Sequence, residues 1–179
     1  MPYNFDDGDW KGQFAFDREG GLRTIDHAHH EVHDGNYFHV NKTFEMGAND
    51  TGQVLFRITG AKVPHISITR TFGANAYYEL WEGCTVTGAS GTALTAYCMN
   101  RSALLSPSVK FFFGPEGISA TGTALIGTEF IAGGAGASKV GQVNRPNTEW
   151  VLAGSKTYLV RFVALAAQTA HVAFEWYEE

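Results

Sequence analysis

Between Asp26 and Asp34 the chain reads Asp-His-Ala-His-His-Glu-Val-His-Asp, which is four imidazoles and three carboxylates in nine residues. A strand sends alternate side chains to opposite faces, so an extended conformation here would project His27, His29, Glu31 and His33 together. Imidazole nitrogens and a carboxylate on neighbouring pleats are a ligand set for zinc, iron, nickel or manganese, which need three or four converging groups. His27, His29 and His33 are therefore the metal candidates of the sequence. The competing reading gives these histidines hydrogen bonds within a strand pair or at a subunit contact. Clustered imidazoles that charge between roughly pH 5 and 7 would make such a contact sensitive to acid.

The same segment mimics the start of the cupin metal motif, because Gly21 and His27-Ala28-His29 match its opening. The glutamate that should follow would fall at position 33 or 34, where His33 and Asp34 stand, and no second motif supplies a further histidine. A cupin-like metalloprotein is thus an alternative that rests on half a motif. No serine sits in a Gly-X-Ser-X-Gly elbow, and the glycine-rich segments lack the lysine of a phosphate loop. Carboxylate pairs such as Asp6 with Asp7 and Glu178 with Glu179 lie close to the termini, where solvation suits them better than paired acid and base work. No catalytic residue and no cofactor is expected, and the protein reads as non-enzymatic. Trp81, Trp150 and Trp176 would make a sugar-stacking platform if they shared a face, but aromatics alternating along strands are core residues first. Sugar binding through exposed aromatics is the other alternative.

The elements that must position these residues are strands. Val63 to Phe72 alternates Ile66 and Ile68 against His65, Ser67 and Thr69, and Val54 to Thr59 precedes it. Asp34-Gly35-Asn36 predicts a tight turn between two strands spanning Leu22 to Val40, since Asp-Gly is a strong short-loop signal. Ala76 to Thr87 and Thr92 to Cys98 read as a hairpin closed by Gly88 to Gly91. Strands are also expected at Val109 to Phe113 and Thr123 to Phe130. Lys156 to Leu165 and His171 to Tyr177 read as a second hairpin whose last strand buries Val172, Phe174 and Trp176. About eight to ten antiparallel strands without a long amphipathic helix predict an all-β fold, a β-sandwich or jelly roll over residues 22–179. Residues 1–21 read as an extended N-terminal arm whose aromatics, Tyr3, Phe5, Trp10, Phe14 and Phe16, are the interface candidates.

Composition agrees with one folded domain. The chain has 179 residues, 44% hydrophobic and 17% charged, with 21 glycines and 13 phenylalanines. That is too apolar for disorder and suits short strands joined by tight turns. The net charge of −5, with Lys and Arg scattered singly, argues against a nucleic-acid partner. No apolar run reaches the roughly 20 residues of a membrane helix, and the acidic start differs from a signal peptide, so synthesis in the cytoplasm and no membrane are expected. Cys84 and Cys98 fall about three residues out of register across the expected hairpin, roughly 10 Å apart, so free buried thiols are expected.

Four stretches carry a resemblance. They are Ile25 to Val40, with His29-His30-Glu31-Val32-His33-Asp34-Gly35; Tyr78-Glu79-Leu80-Trp81-Glu82-Gly83; Gly91-Thr92-Ala93-Leu94-Thr95 with Asn100-Arg101; and Glu149-Trp150-Val151-Leu152 followed by Tyr158-Leu159-Val160-Arg161 and Phe174-Glu175-Trp176-Tyr177. In order and spacing they resemble small tailed-bacteriophage virion proteins of the head decoration or capsid cement type. The resemblance implies a β-sandwich or jelly-roll subunit that joins the virion at the capsid surface as a trimer or dimer. It also implies the major capsid protein as partner, leaves a glycan-binding head-fibre or tail module as the alternative, and brings no catalytic residues to transfer. Residues 1–20 fall outside it.

Overall fold

The computed structural model describes residues 15–16, 22–23, 27–103, 105–119, 124–133, 141–143 and 149–179. In chain order the elements are β1 (Ala15–Phe16), β2 (Leu22–Arg23), α1 (His27–Asp34), β3 (Tyr37–Met46), β4 (Thr51–Ile58), β5 (Pro64–Phe72), β6 (Ala76–Glu82), β7 (Thr85–Val86), β8 (Thr92–Leu94) and β9 (Tyr97–Cys98). They continue as β10 (Val109–Phe113), β11 (Ile118–Ser119), β12 (Ala124–Ile131), β13 (Gly141–Val143), β14 (Trp150–Val151), β15 (Thr157–Ala164) and β16 (Gln168–Glu178).

Two antiparallel sheets pack face to face. The first runs β12-β6-β15-β4-β10-β8, and the second runs β13-β5-β16-β3-β9 with β14 also paired to β5. Successive long strands, β3 to β4, β4 to β5, β5 to β6 and β15 to β16, cross from one sheet to the other. Leaving aside β8, β9 and β10 and counting β13 and β14 as one position, the strands β3, β4, β5, β6, β12, β13/β14, β15 and β16, taken as first to eighth, order as first-eighth-third-sixth in the second sheet and second-seventh-fourth-fifth in the first, the jelly-roll arrangement of a β-sandwich. The fold class expected from the sequence is therefore the fold observed.

Alternation explains why the chain folds this way. In β5 the residues Pro64, Ile66, Ile68, Arg70 and Phe72 are buried while those between are half-exposed, and in β16 Val172, Phe174 and Trp176 are buried completely. The first sheet contributes Phe56, Phe111 and Tyr158 to the same layer. Phe111 lies 4.8 Å from Phe174 and 5.0 Å from Trp176 between ring centroids, and Phe56 stacks on Tyr158 at 5.3 Å. Such offset and tilted aromatic contacts add to the burial of each ring, itself worth about 1.5–3 kcal/mol. A smaller apolar cluster of Leu55, Cys84 and Leu159 lies on the outside of the first sheet, with Trp81, Val86, Phe112 and Ile118 packed around it. The β7–β11 ribbon supplies Val86 and Ile118 to that cluster.

Three local expectations are corrected. The segment His27–Asp34 is a helix, and Asp34-Gly35-Asn36 is its C-terminal cap. Gly35 adopts φ +80°, its N–H donates to the Val32 carbonyl at 3.2 Å, and the Asn36 N–H donates to the Glu31 carbonyl at 3.0 Å. This is the Schellman pairing, which uses a left-handed glycine as a hairpin turn does; the Asp-Gly signal marked the positive φ but not its context. Ala76 to Cys98 is not a hairpin: β6 lies between β12 and β15, β7 pairs with β11, and β8 pairs with β10. β15 and β16 follow each other closely but belong to different sheets, so the short Leu165–Ala167 link crosses the sandwich. Both expected strands buried their inward residues, and a strand needs only some buried layer, not its sequence neighbour, to satisfy that pattern.

Candidate functional site at the helix-bearing end

Helix α1 sits at the end of the sandwich where β3 and β5 begin and β16 finishes, beside Tyr37, Pro64 and Glu178. There Tyr177 continues the outward-facing row of β16 and is buried to all but 7% of its surface. Its ring stacks on His65 at 4.6 Å and faces Tyr37 at 6.3 Å. The Tyr177 hydroxyl lies 3.0 Å from His65 Nδ1 and donates toward Glu149, whose two oxygens are each 3.3 Å away. His65 Nδ1 is also 3.2 Å from Glu149 Oε1, and its Nε2 is 3.7 Å from Glu179 Oε2. One imidazole thus stands between two carboxylates. Burial pushes the Tyr177 phenol well above its ordinary range, and the charges of Glu149, Glu179 and Glu31 push it the same way.

Behind this cluster the inward-facing Glu178 ties the two sheets together. Its carboxylate accepts hydrogen bonds from the backbone N–H of Ser108 at 2.9 Å, from that of Val109 at 3.3 Å, and from Trp176 Nε1 at 2.9 Å. A buried carboxylate needs such donors to offset its lost hydration.

The helix redistributes the histidines. Residues two apart in a helix differ by about 200°, so positions 27 and 29, which a strand would have put on one face, fall on opposite sides. The side chains of His27 and His29 lie outside the described residues, and that of His33 is exposed. The strand face on which His27, His29 and His33 were expected to project together is therefore absent. What the helix does bring together is His30, Glu31 and Asp34. Their ligand atoms all lie within 4.8 Å of one another, with His30 Nδ1 3.3 Å from Asp34 Oδ2 and 3.9 Å from Glu31 Oε1. Glu31 is buried, and Asn36 Nδ2 donates to its Oε2 at 3.2 Å.

Exposed apolar residues rim the same end. Val151 on β14 is 61% exposed, Leu105 lies within van der Waals reach of Gly35, and Val63 precedes β5. Tyr97 and Met99 are exposed beside β3, with Tyr97 over His39 and Arg101 over Tyr97. A second exposed group, Tyr77 and Phe130 with rings 5.4 Å apart, sits on the outside of the first sheet.

The three tryptophans do not share a platform. Trp176 is in the core, Trp150 packs against that core, and Trp81 lies on the outer cluster of the first sheet. Among the arm candidates, Tyr3, Phe5, Trp10 and Phe14 lie outside the described residues. Phe16 belongs to β1, opposite Leu22 of β2. Cys84 and Cys98 are buried thiols outside any disulfide, as expected, although the hairpin used to argue it is absent. Among the described residues no helix is long and apolar enough to cross a membrane.

Sequence reasoning missed His65, Glu149 and Tyr177. Two of them carried a signal, since the alternation of β5 and β16 places His65 and Tyr177 on the same outward face. Glu149 carried none, because its approach depends on β14 pairing with β5. No protein-family model, curated protein or solved structure matches this chain.

Proposed function

We propose that this protein is a non-enzymatic virion structural subunit of the capsid decoration or cement type, binding the outer surface of a phage head as a homo-oligomer and bridging neighbouring major capsid proteins. The observation that carries this reading is convergence. The stretches that resemble decoration proteins are scattered from residue 25 to residue 177, yet most of them gather in the helix-bearing half of the sandwich. Ile25 to Val40 includes α1, Asn100 donates to the His33 carbonyl at 2.8 Å, Val151 pairs with His65, and Phe174 to Tyr177 ends beside α1. That half also carries the exposed Val63, Tyr97, Met99, Leu105 and Val151. Apolar anchors within a polar setting are the composition of an interface, and a weak contact repeated over a lattice sums to a large stabilisation.

Cryo-electron microscopy of particles from the virus that encodes the chain tests this directly. Density for the sandwich is expected on the outside of the head with the α1 end toward the shell. Finding the chain only on tails, or on no particle, would defeat the proposal. Val151→Asp and Leu105→Asp, both at exposed positions, should lower head occupancy severalfold while leaving the melting temperature within a degree or two of the parent. The glycan-module reading is favoured by one observation, the exposed Tyr77 and Phe130 pair, whose planes are 58° apart. A glycan array separates the two, because a cement protein should show no sugar preference.

A further inference from the structure

We propose that the α1 corner is a binding site for one first-row divalent transition-metal ion, for which Zn2+ is the probe, with His30, Glu31 and Asp34 as ligands. Helical spacing is the first argument, since positions i and i+4 lie one above the other on a helix and thereby aim two ligands at one point. Distance is the second. Four-coordinate zinc with bonds of about 2.0–2.1 Å holds neighbouring donors about 3.3–3.4 Å apart. His30 Nδ1 and Asp34 Oδ2 already stand at 3.3 Å, and Glu31 Oε1 lies 3.9 Å from the same nitrogen.

The surroundings favour a cation. Asp34 ends the helix and Glu31 is in its last turn, which also holds His33, and the negative pole of the helix dipole lies there. The carboxylates of Glu149 and Glu179 stand around the neighbouring Tyr177 and His65. The site also has a supporting layer: Asn36 Nδ2 donates to Glu31 Oε2 at 3.2 Å, and Asn36 Oδ1 accepts from Lys62 Nζ at 3.3 Å. Outer partners of this kind orient a metal-binding carboxylate. One imidazole with two carboxylates selects a borderline ion such as Zn2+ over Ca2+, which prefers six to eight oxygens. His30 and Asp34 are half or more exposed, at 61% and 52% of their side chains, so the fourth position opens to water.

The test is Zn2+ binding to the full chain carrying no histidine tag, read by competition with a chromophoric chelator. One ion per chain at micromolar affinity or better is expected. His30→Ala and Asp34→Asn should each weaken it by at least about tenfold, and Asn36→Ala by a comparable or smaller factor. His171→Ala, which removes the partner of Thr43 elsewhere on β16, should leave it unchanged. Circular dichroism on each variant shows that the sandwich persists. No binding below about millimolar Zn2+ would overturn the proposal, as would equal affinity in His30→Ala and Asp34→Asn. Binding abolished by His33→Ala but kept by His30→Ala would overturn it as well.

Discussion

Glu178 shows how much one residue can hold. Its carboxylate serves the Ser108 and Val109 amides of the first sheet's side and Trp176 of the second, and it is 3% exposed. Removing it strands three buried donors, so Glu178→Ala should cost about 3–5 kcal/mol in urea unfolding, and Glu178→Gln distinctly less. A loss under about 1 kcal/mol for the alanine would mean that water replaces the carboxylate there. Tyrosines give a second residue-scale prediction. Burial pushes the phenols of Tyr78 and Tyr158 up from 10.0 to about 12, before the smaller effects of Arg70 on the first and of Ala153 and Glu82 on the second. The folded state therefore holds these protons more tightly than the unfolded one. Their contribution to stability is whole below pH 10 and is lost as pH rises from 10 to 12. The melting temperature should fall across that window, and Tyr78→Phe with Tyr158→Phe should flatten the fall. An unchanged slope in the double variant would assign alkaline unfolding to other groups.

At the scale of elements, the α1 cap and the sandwich edge are the sensitive places. Gly35 has φ +80°, and a Cβ there would come 2.5 Å from the Ala103 Cβ. Gly35→Ala combines a left-handed penalty of about 1 kcal/mol with a steric clash, so a loss of about 2 kcal/mol or more is expected, along with weaker Zn2+ binding if α1 frays. Between the layers, Arg70 of β5 points inward, donates to Glu129 of β12 at 2.8 Å, and lies 3.9 Å above the Tyr78 ring of β6. Arg70→Met alone leaves the half-buried Glu129 carboxylate behind and Glu129→Leu alone leaves the buried Arg70 guanidinium, and each should cost about 3 kcal/mol. The double variant should cost less than the sum, because it removes both charges from the interior. Strict additivity in that cycle would show that the pair is uncoupled. On β12, the inward Glu129 and the register shift between Leu125 and Gly127 are devices that discourage strand addition at a sheet edge.

For the molecule as a whole, the two ends and two outer faces of the sandwich differ in kind. The helix-bearing end gathers His65, Tyr177, Glu149, Glu179 and the α1 triad within a rim of exposed Val151, Leu105 and Val63. The outer face of the second sheet is polar, with Asn41, Thr43, Ser67, Thr69 and Thr71 in register across β3, β16 and β5. A subunit that docks by the first surface and leaves the second in water fits the decoration role proposed here. Occupancy of heads by Val151→Asp and Leu105→Asp is the measurement made at this scale.

By itself the sequence determined the all-β class, the strands with clean alternation, and the inward faces of β5 and β16, because a period of two is a local property that any buried layer reads in the same way. It also implied free thiols. Only the tertiary structure decided which strands became neighbours. Register across the sandwich depends on packing between residues far apart in sequence, so β15 and β16 read as a hairpin although they occupy different sheets. It likewise decided that His27–Asp34 is helical, since a glycine of positive φ serves a helix cap and a hairpin turn alike and only the carbonyls that receive the Gly35 and Asn36 amides tell them apart. The corner that unites His65 with Glu149, and His30 with Asp34, follows from those two decisions.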